Sequence, residues 1–115
     1  MVRREVVGAH YGLGTWIAQR ATAVVMLVYT VFFIMVVARM PEHDFWHWKA
    51  LFQVPVMKFA TLLAILSLLY HCWVGVRNIF MDYIKDTGLR VVLYVVVILA
   101  LVLYGAWSVQ ILWGV

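Results

Sequence analysis

His71 is the residue of this chain with the most chemistry to explain. It sits in the middle of a long apolar run, eleven residues before Asp82 and twelve before Tyr83. A histidine in hydrocarbon is costly and needs a partner. Two readings are open. The ring hydrogen-bonds across helices, as polar side chains do in membrane bundles, or it is an axial ligand to a buried haem, whose iron satisfies one ring nitrogen. Gly75 lies one turn on along the same face. A missing side chain there leaves room for a flat macrocycle, which favours the second reading. Arg20 stands at the entrance of an earlier apolar run, and a guanidinium suits the propionates of a haem. Eleven residues of helix rise about 16 Å and complete about three turns, so His71 and Asp82 share a face. A mid-membrane ligand then lies below a polar pair, Asp82-Tyr83, at one rim. A haem is of comparable height, so one edge reaches Arg20 while the iron meets His71.

The elements that must hold these residues are helices in lipid. Of the 115 residues, 67% are hydrophobic and 12% charged, about half the charged share of a soluble domain. A small soluble fold cannot hide so much apolar surface. Three apolar stretches stand out, at approximately 16–38, 55–80 and 91–113. Each supplies the roughly 20 residues that cross a hydrocarbon core as helix. Their Val, Ile and Phe content would favour strands in water. In lipid the backbone must bond within the segment, so the expected fold is all-α: three transmembrane helices in a single domain, 1–115. Three helices make a poor stand-alone machine, so a place in a larger helical bundle is expected. The linker 40–53 carries Pro41, Trp46 and Trp48 and reads as an interfacial segment holding one short helix started by Pro41. The segment 82–90 reads as the second loop.

Arg3, Arg4, Arg20, Arg77, Lys85 and Arg90 fall on one side of such a bundle, and Arg39, Lys49 and Lys58 on the other. This bias puts the N-terminus in the cytoplasm and the C-terminus outside. Arg3 and Arg4 read as an orientation signal. The Ala21-Thr22-Ala23 triplet falls at the start of the apolar run rather than after it, which argues against signal cleavage.

Other functions are disfavoured. The net charge of +4 is spread without a basic stripe, so nucleic acid is not an expected partner. The single cysteine, Cys72, excludes an internal disulfide and a CxxC metal site. No carboxylate lies in mid-membrane, as a proton relay or a small multidrug exporter needs. His43 and His47 have ligand-like spacing but no further ligands for zinc. His10 is placed to approach the propionate end.

The chain resembles the small hydrophobic membrane anchor of bacterial succinate dehydrogenase, respiratory complex II. Arg20-Ala21-Thr22-Ala23, His71-Cys72-Trp73-Val74-Gly75, the following Met81-Asp82-Tyr83 and the terminal Leu112-Trp113-Gly114-Val115 carry the resemblance, which covers essentially the whole chain. It implies a four-subunit enzyme of the bacterial inner membrane. A flavoprotein oxidises succinate, an iron-sulfur subunit passes electrons on, and two anchors, the second a cytochrome b subunit, share haem b and reduce ubiquinone. It further implies His71 as a haem iron ligand, Arg20 near the propionates, Tyr83 as a hydrogen-bond donor to ubiquinone and Asp82 in the same pocket. Some relatives have a histidine nearer the arginine, where this chain has Gly14. Catalysis of succinate oxidation itself would lie in other subunits. The alternatives are a fumarate reductase anchor, since direction is set elsewhere, and a non-redox scaffold with His71 as interhelical glue.

Overall fold

The computed structural model describes the backbone of residues 4–115 and the side chains of residues 13–115. Four helices follow in chain order: α1 (Arg4–Ala38), α2 (Phe45–Gln53), α3 (Pro55–Tyr83) and α4 (Thr87–Gly114). Three contain stretches long and apolar enough to cross a membrane: Leu13–Ala38, Pro55–Tyr83 and Thr87–Gly114. The expected architecture of three spans is therefore present, and the described residues contain no strand.

The helix ends follow local chemistry and correct several expected boundaries. α2 does not start at Pro41. Its cap is Asp44, whose carboxylate accepts the His47 backbone N–H at 2.9 Å. Asp44 also meets the His47 ring. These His47 hydrogen bonds hold the Asp44 carboxyl below its ordinary range. The cap is thus intact at neutral pH and is lost only as acid protonates the carboxylate. His43 does not join His47: its Nε2 lies 2.9 Å from the Val37 carbonyl and satisfies the end of α1. Glu42, Asp44 and His47 do converge within 4.8 Å, but Asp44 is already used as a cap.

Pro55 opens α3 at its first position, where a proline loses no hydrogen bond. Val54 before it is extended, as a residue preceding proline is driven to be. At the other rim the expected loop 82–90 shrinks to 84–86, because Asp86 accepts the Gly88 N–H at 3.1 Å and starts α4 early.

α3 is the middle helix, with α1 on one face and α4 on the other. Tyr29 and Thr61 mark the first face. Phe59–Trp113 and Trp73–Tyr94 mark the second, with edge-on rings 5.6 Å apart in both pairs. α2 closes one end, where Trp48 and Phe52 pack on Phe33 of α1. The Gln53 amide there donates to the Val115 carbonyl at 3.3 Å. Among the described residues only Met57, Thr61, Ala64, Ser67, Val74 and Leu112 are buried. Leu27 and Leu103 are about two-thirds exposed, at 65% and 67%. Such faces need lipid or other helices to cover them.

Candidate functional site: a polar cluster on the middle helix

His71 projects from α3 onto α1 and is half-buried. Its ring is held on both nitrogens. Thr22 Oγ1 lies 3.1 Å from Nδ1, and the Gln19 amide nitrogen lies 3.4 Å from Nε2. The same amide donates to the His71 carbonyl oxygen at 3.4 Å. Thr22 also donates back along its own helix, with Ala18 and Gln19 carbonyls at 2.8 and 3.1 Å. The Gln19 side-chain carbonyl oxygen is buried without a hydrogen-bond partner, an orphaned acceptor beside the ring.

Neither Gln19 nor Thr22 stands out as a site residue in the sequence by itself. A signal is nevertheless present. Gln19, Thr22 and Tyr29 recur at i, i+3 and i+10, which places them on one face of a helix. That face meets α3, and one turn past Met26 the Tyr29 hydroxyl hydrogen-bonds Thr61 at 2.7 Å.

Gly75 borders open space, since a Cβ built there meets nothing within 4 Å. Packing inside this chain therefore does not demand a glycine at that position. Gly105 on α4 differs: a Cβ there would lie 3.1 Å from Leu69 Cδ1. The room beside His71 thus faces outward, toward whatever covers the bundle. The imidazole of His71 suits a haem ligand in donor type, and Gly75 one turn on leaves open space; its two ring nitrogens face Thr22 and Gln19 of α1, so iron would take the place of the longer contact, that of Gln19.

Arg20 is not at the entrance of α1. The helix begins at Arg4, and Gln19 and Thr22 bring this segment level with His71. Arg20 is exposed and reaches back one turn, its guanidinium carbon 5.0 Å from the Trp16 ring centroid. A long cationic side chain folded over an aromatic toward the N-terminal end carries its charge toward the rim. Arg77 lies between the ring and the rim with a buried Nε that has no hydrogen-bond partner. His10 lies outside the residues whose side chains are described.

Asp82 and Tyr83 end α3, and both are exposed. Tyr83 is 77% exposed, so its hydroxyl is open to a ligand or a neighbouring chain. Asp82 makes no ion pair with Lys85 among the described residues. Twelve residues of helix separate Tyr83 from His71, about 18 Å. The structure therefore joins His71 with Gln19 and Thr22, and holds the Asp82-Tyr83 pair apart at the rim.

Three membrane-length helices with a polar cluster in mid-span define an integral membrane protein. Similarity to known proteins is specific about which kind. Residues 2–107 match the family described as "Succinate dehydrogenase/Fumarate reductase transmembrane subunit". The chain is also 38% identical over 102 residues to the "Succinate dehydrogenase hydrophobic membrane anchor subunit" of Coxiella burnetii (strain RSA 493 / Nine Mile phase I), covering 89% of each chain. The chain belongs to the succinate dehydrogenase/fumarate reductase transmembrane-subunit family.

Proposed function

We propose that this chain is the hydrophobic membrane anchor of a succinate:ubiquinone oxidoreductase of a bacterial inner membrane. Family membership and the 38% identity to a succinate dehydrogenase anchor support the enzyme class. The observation that carries the cofactor reading is His71: a mid-span imidazole fixed against α1, with Gly75 opening free space on the next turn. His71 would ligate the iron of a haem b shared with a second anchor. Haem, when bound, supplies one-electron redox chemistry. Arg20 neutralises propionate charge from the rim side of His71.

Tyr83 and Asp82 serve ubiquinone. The exposed phenol donates to a quinone carbonyl and stabilises charge as electrons arrive. Asp82 orients water or moves a proton beside it. This chain has too few polar groups there to enclose a headgroup, so the second anchor and the iron-sulfur subunit complete the pocket. The flavoprotein docks through the iron-sulfur subunit. The excess of Lys and Arg on the Tyr83 side puts that rim in the cytoplasm and the C-terminus in the periplasm. A reporter active only in the periplasm, fused after Val115, is expected to be active; activity only when fused near Lys85 reverses the orientation.

Purification of the chain in mild detergent tests the whole reading. It should bring down a flavoprotein, an iron-sulfur protein and a second helical anchor, with a b-type haem spectrum. His71→Ala should abolish that spectrum or change it, in a complex that still contains all partners. A native spectrum and midpoint potential in His71→Ala would remove His71 as ligand and leave it as interhelical glue.

A further inference from the structure

Resting on the reading of His71 as a haem ligand, we propose that Thr22 is a positioning residue: its hydroxyl holds His71 in the Nδ1–H tautomer and reserves the Nε2 lone pair for iron. Counting protons around the ring leads to this assignment. The Thr22 hydroxyl has one hydrogen. Its oxygen lies 2.8 Å from the Ala18 carbonyl and 3.1 Å from that of Gln19, and carbonyl oxygens only accept. The hydrogen is therefore used within α1. Toward Nδ1, at 3.1 Å, Thr22 presents a lone pair, and Nδ1 must carry the proton.

Gln19 reaches the same assignment independently. Its amide nitrogen is 3.4 Å from the His71 backbone carbonyl, which again only accepts, so the group there is the NH2. That NH2 also faces Nε2 at 3.4 Å. Nε2 is consequently the acceptor nitrogen. The opposite tautomer would set Nε2–H against the amide donors and draw the Thr22 hydrogen away from the Ala18 carbonyl. In hydrocarbon no water is at hand to repair either mismatch.

The two contacts differ in strength and place. The Gln19 contact is long for a hydrogen bond and lies on the ring nitrogen a metal would take, so it is the one that yields. The Thr22 contact lies on the far nitrogen and persists. A ligating histidine that donates its other N–H becomes a more basic ligand. A more basic ligand favours the ferric state, so Thr22 sets a lower haem potential than a free imidazole would.

The test uses the assembled complex, with Thr22→Val, the smaller Thr22→Ala, and Thr22→Ser as the conservative variant. Redox titration of the haem absorbance and the ferric electron paramagnetic resonance spectrum are read alongside His71→Ala. Valine and alanine should raise the midpoint potential, shift the ferric spectrum and weaken haem retention on the order of 10-fold. Serine should restore all three. A wild-type potential and spectrum in either the valine or the alanine variant, with His71→Ala altered, would overturn the role of Thr22 while keeping His71 as ligand. An unaltered His71→Ala spectrum would overturn the ligand reading itself, and Thr22 with it.

Discussion

The two faces of α3 are built on different principles. Toward α1 they meet through hydrogen bonds: His71 with Thr22 and Gln19, and Thr61 with Tyr29. Toward α4 they meet through rings and aliphatic surface: Trp73 and Phe80 on Tyr94, Phe59 on Trp113, and Leu69 against the missing side chain of Gly105. A groove of about 680 Å³ on this second seam is lined by Leu66, Trp73, Ile98, Val102 and other apolar residues. Lipid tails are as apolar as leucine, so neither seam is driven together by exclusion of water. Close packing suffices to hold α4. The polar seam does something packing does not need, since buried polar groups restrict which partner and which rotation a helix accepts. The proposed haem ligand thus lies on the polar α1 side, while the α4 side is apolar packing.

The strongest test of that division lies at the rim where α3 ends. Tyr83 belongs to neither seam, and its exposure leaves it free to meet a quinone. On the proposed quinone role, Tyr83→Phe would remove one hydrogen bond to developing charge and should lower succinate–quinone activity about 10²-fold. Succinate oxidation by an artificial dye acceptor should stay near wild type, because it bypasses this chain. Unchanged quinone kinetics in an assembled Tyr83→Phe complex would reduce the residue to an interfacial aromatic. Loss of the dye reaction too would show that the division between rim and seams is wrong and that Tyr83 holds the assembly.

A paired substitution sharpens the contrast between the seams themselves. Gly105→Leu sets a Cβ 3.1 Å from Leu69 Cδ1, beside the open groove that both residues line, and should destabilise the complex by about 1 kcal/mol, the low end of overpacking, without moving the haem spectrum. Tyr29→Phe removes the 2.7 Å bond to Thr61 and should have the smaller effect, about 0.6 kcal/mol, the usual size of an interhelical hydrogen bond in a membrane. Thr61 can turn back to a carbonyl of its own helix, which limits the loss. Denaturant-induced dissociation in mild detergent measures both. A larger effect from Tyr29→Phe than from Gly105→Leu would invert the assignment of structural weight to the α4 side.

Much of the fold is legible in the sequence because length and apolarity alone decide a membrane span. The expected segments 16–38, 55–80 and 91–113 lie inside α1, α3 and α4. The ends differ where a carboxylate outcompetes another start signal, as Asp44 does over Pro41 and Asp86 does over a longer loop. The cluster at His71 is half legible. The histidine stands out as one polar residue in hydrocarbon. Thr22 and Gln19 are 49 and 52 residues away, and pairing them needs the rotation of each helix about its axis. A soluble helix betrays that rotation by its apolar stripe. These helices are apolar nearly all round; Gln19, Thr22 and Tyr29 face α3, but their neighbours Arg20 and Thr30 are polar and exposed, which blurs the record of which way α1 faces. The position of Arg20 is obscured for a related reason. Helix α1 starts at Arg4, well before its apolar run, so the onset of hydrophobicity does not mark the start of the helix.

The open row of α1, α3 and α4 also bears on how the cell supplies this chain. A closed bundle carries its own interior; a row does not, and only six described residues are buried. Its ordered state is then linked by mass action to the proteins that cover its flanks. Raising their abundance stabilises it, and a copy made in excess has no partner left to complete it. Balanced synthesis of the subunits would then leave each copy of this chain flanked by partner helices rather than by lipid alone.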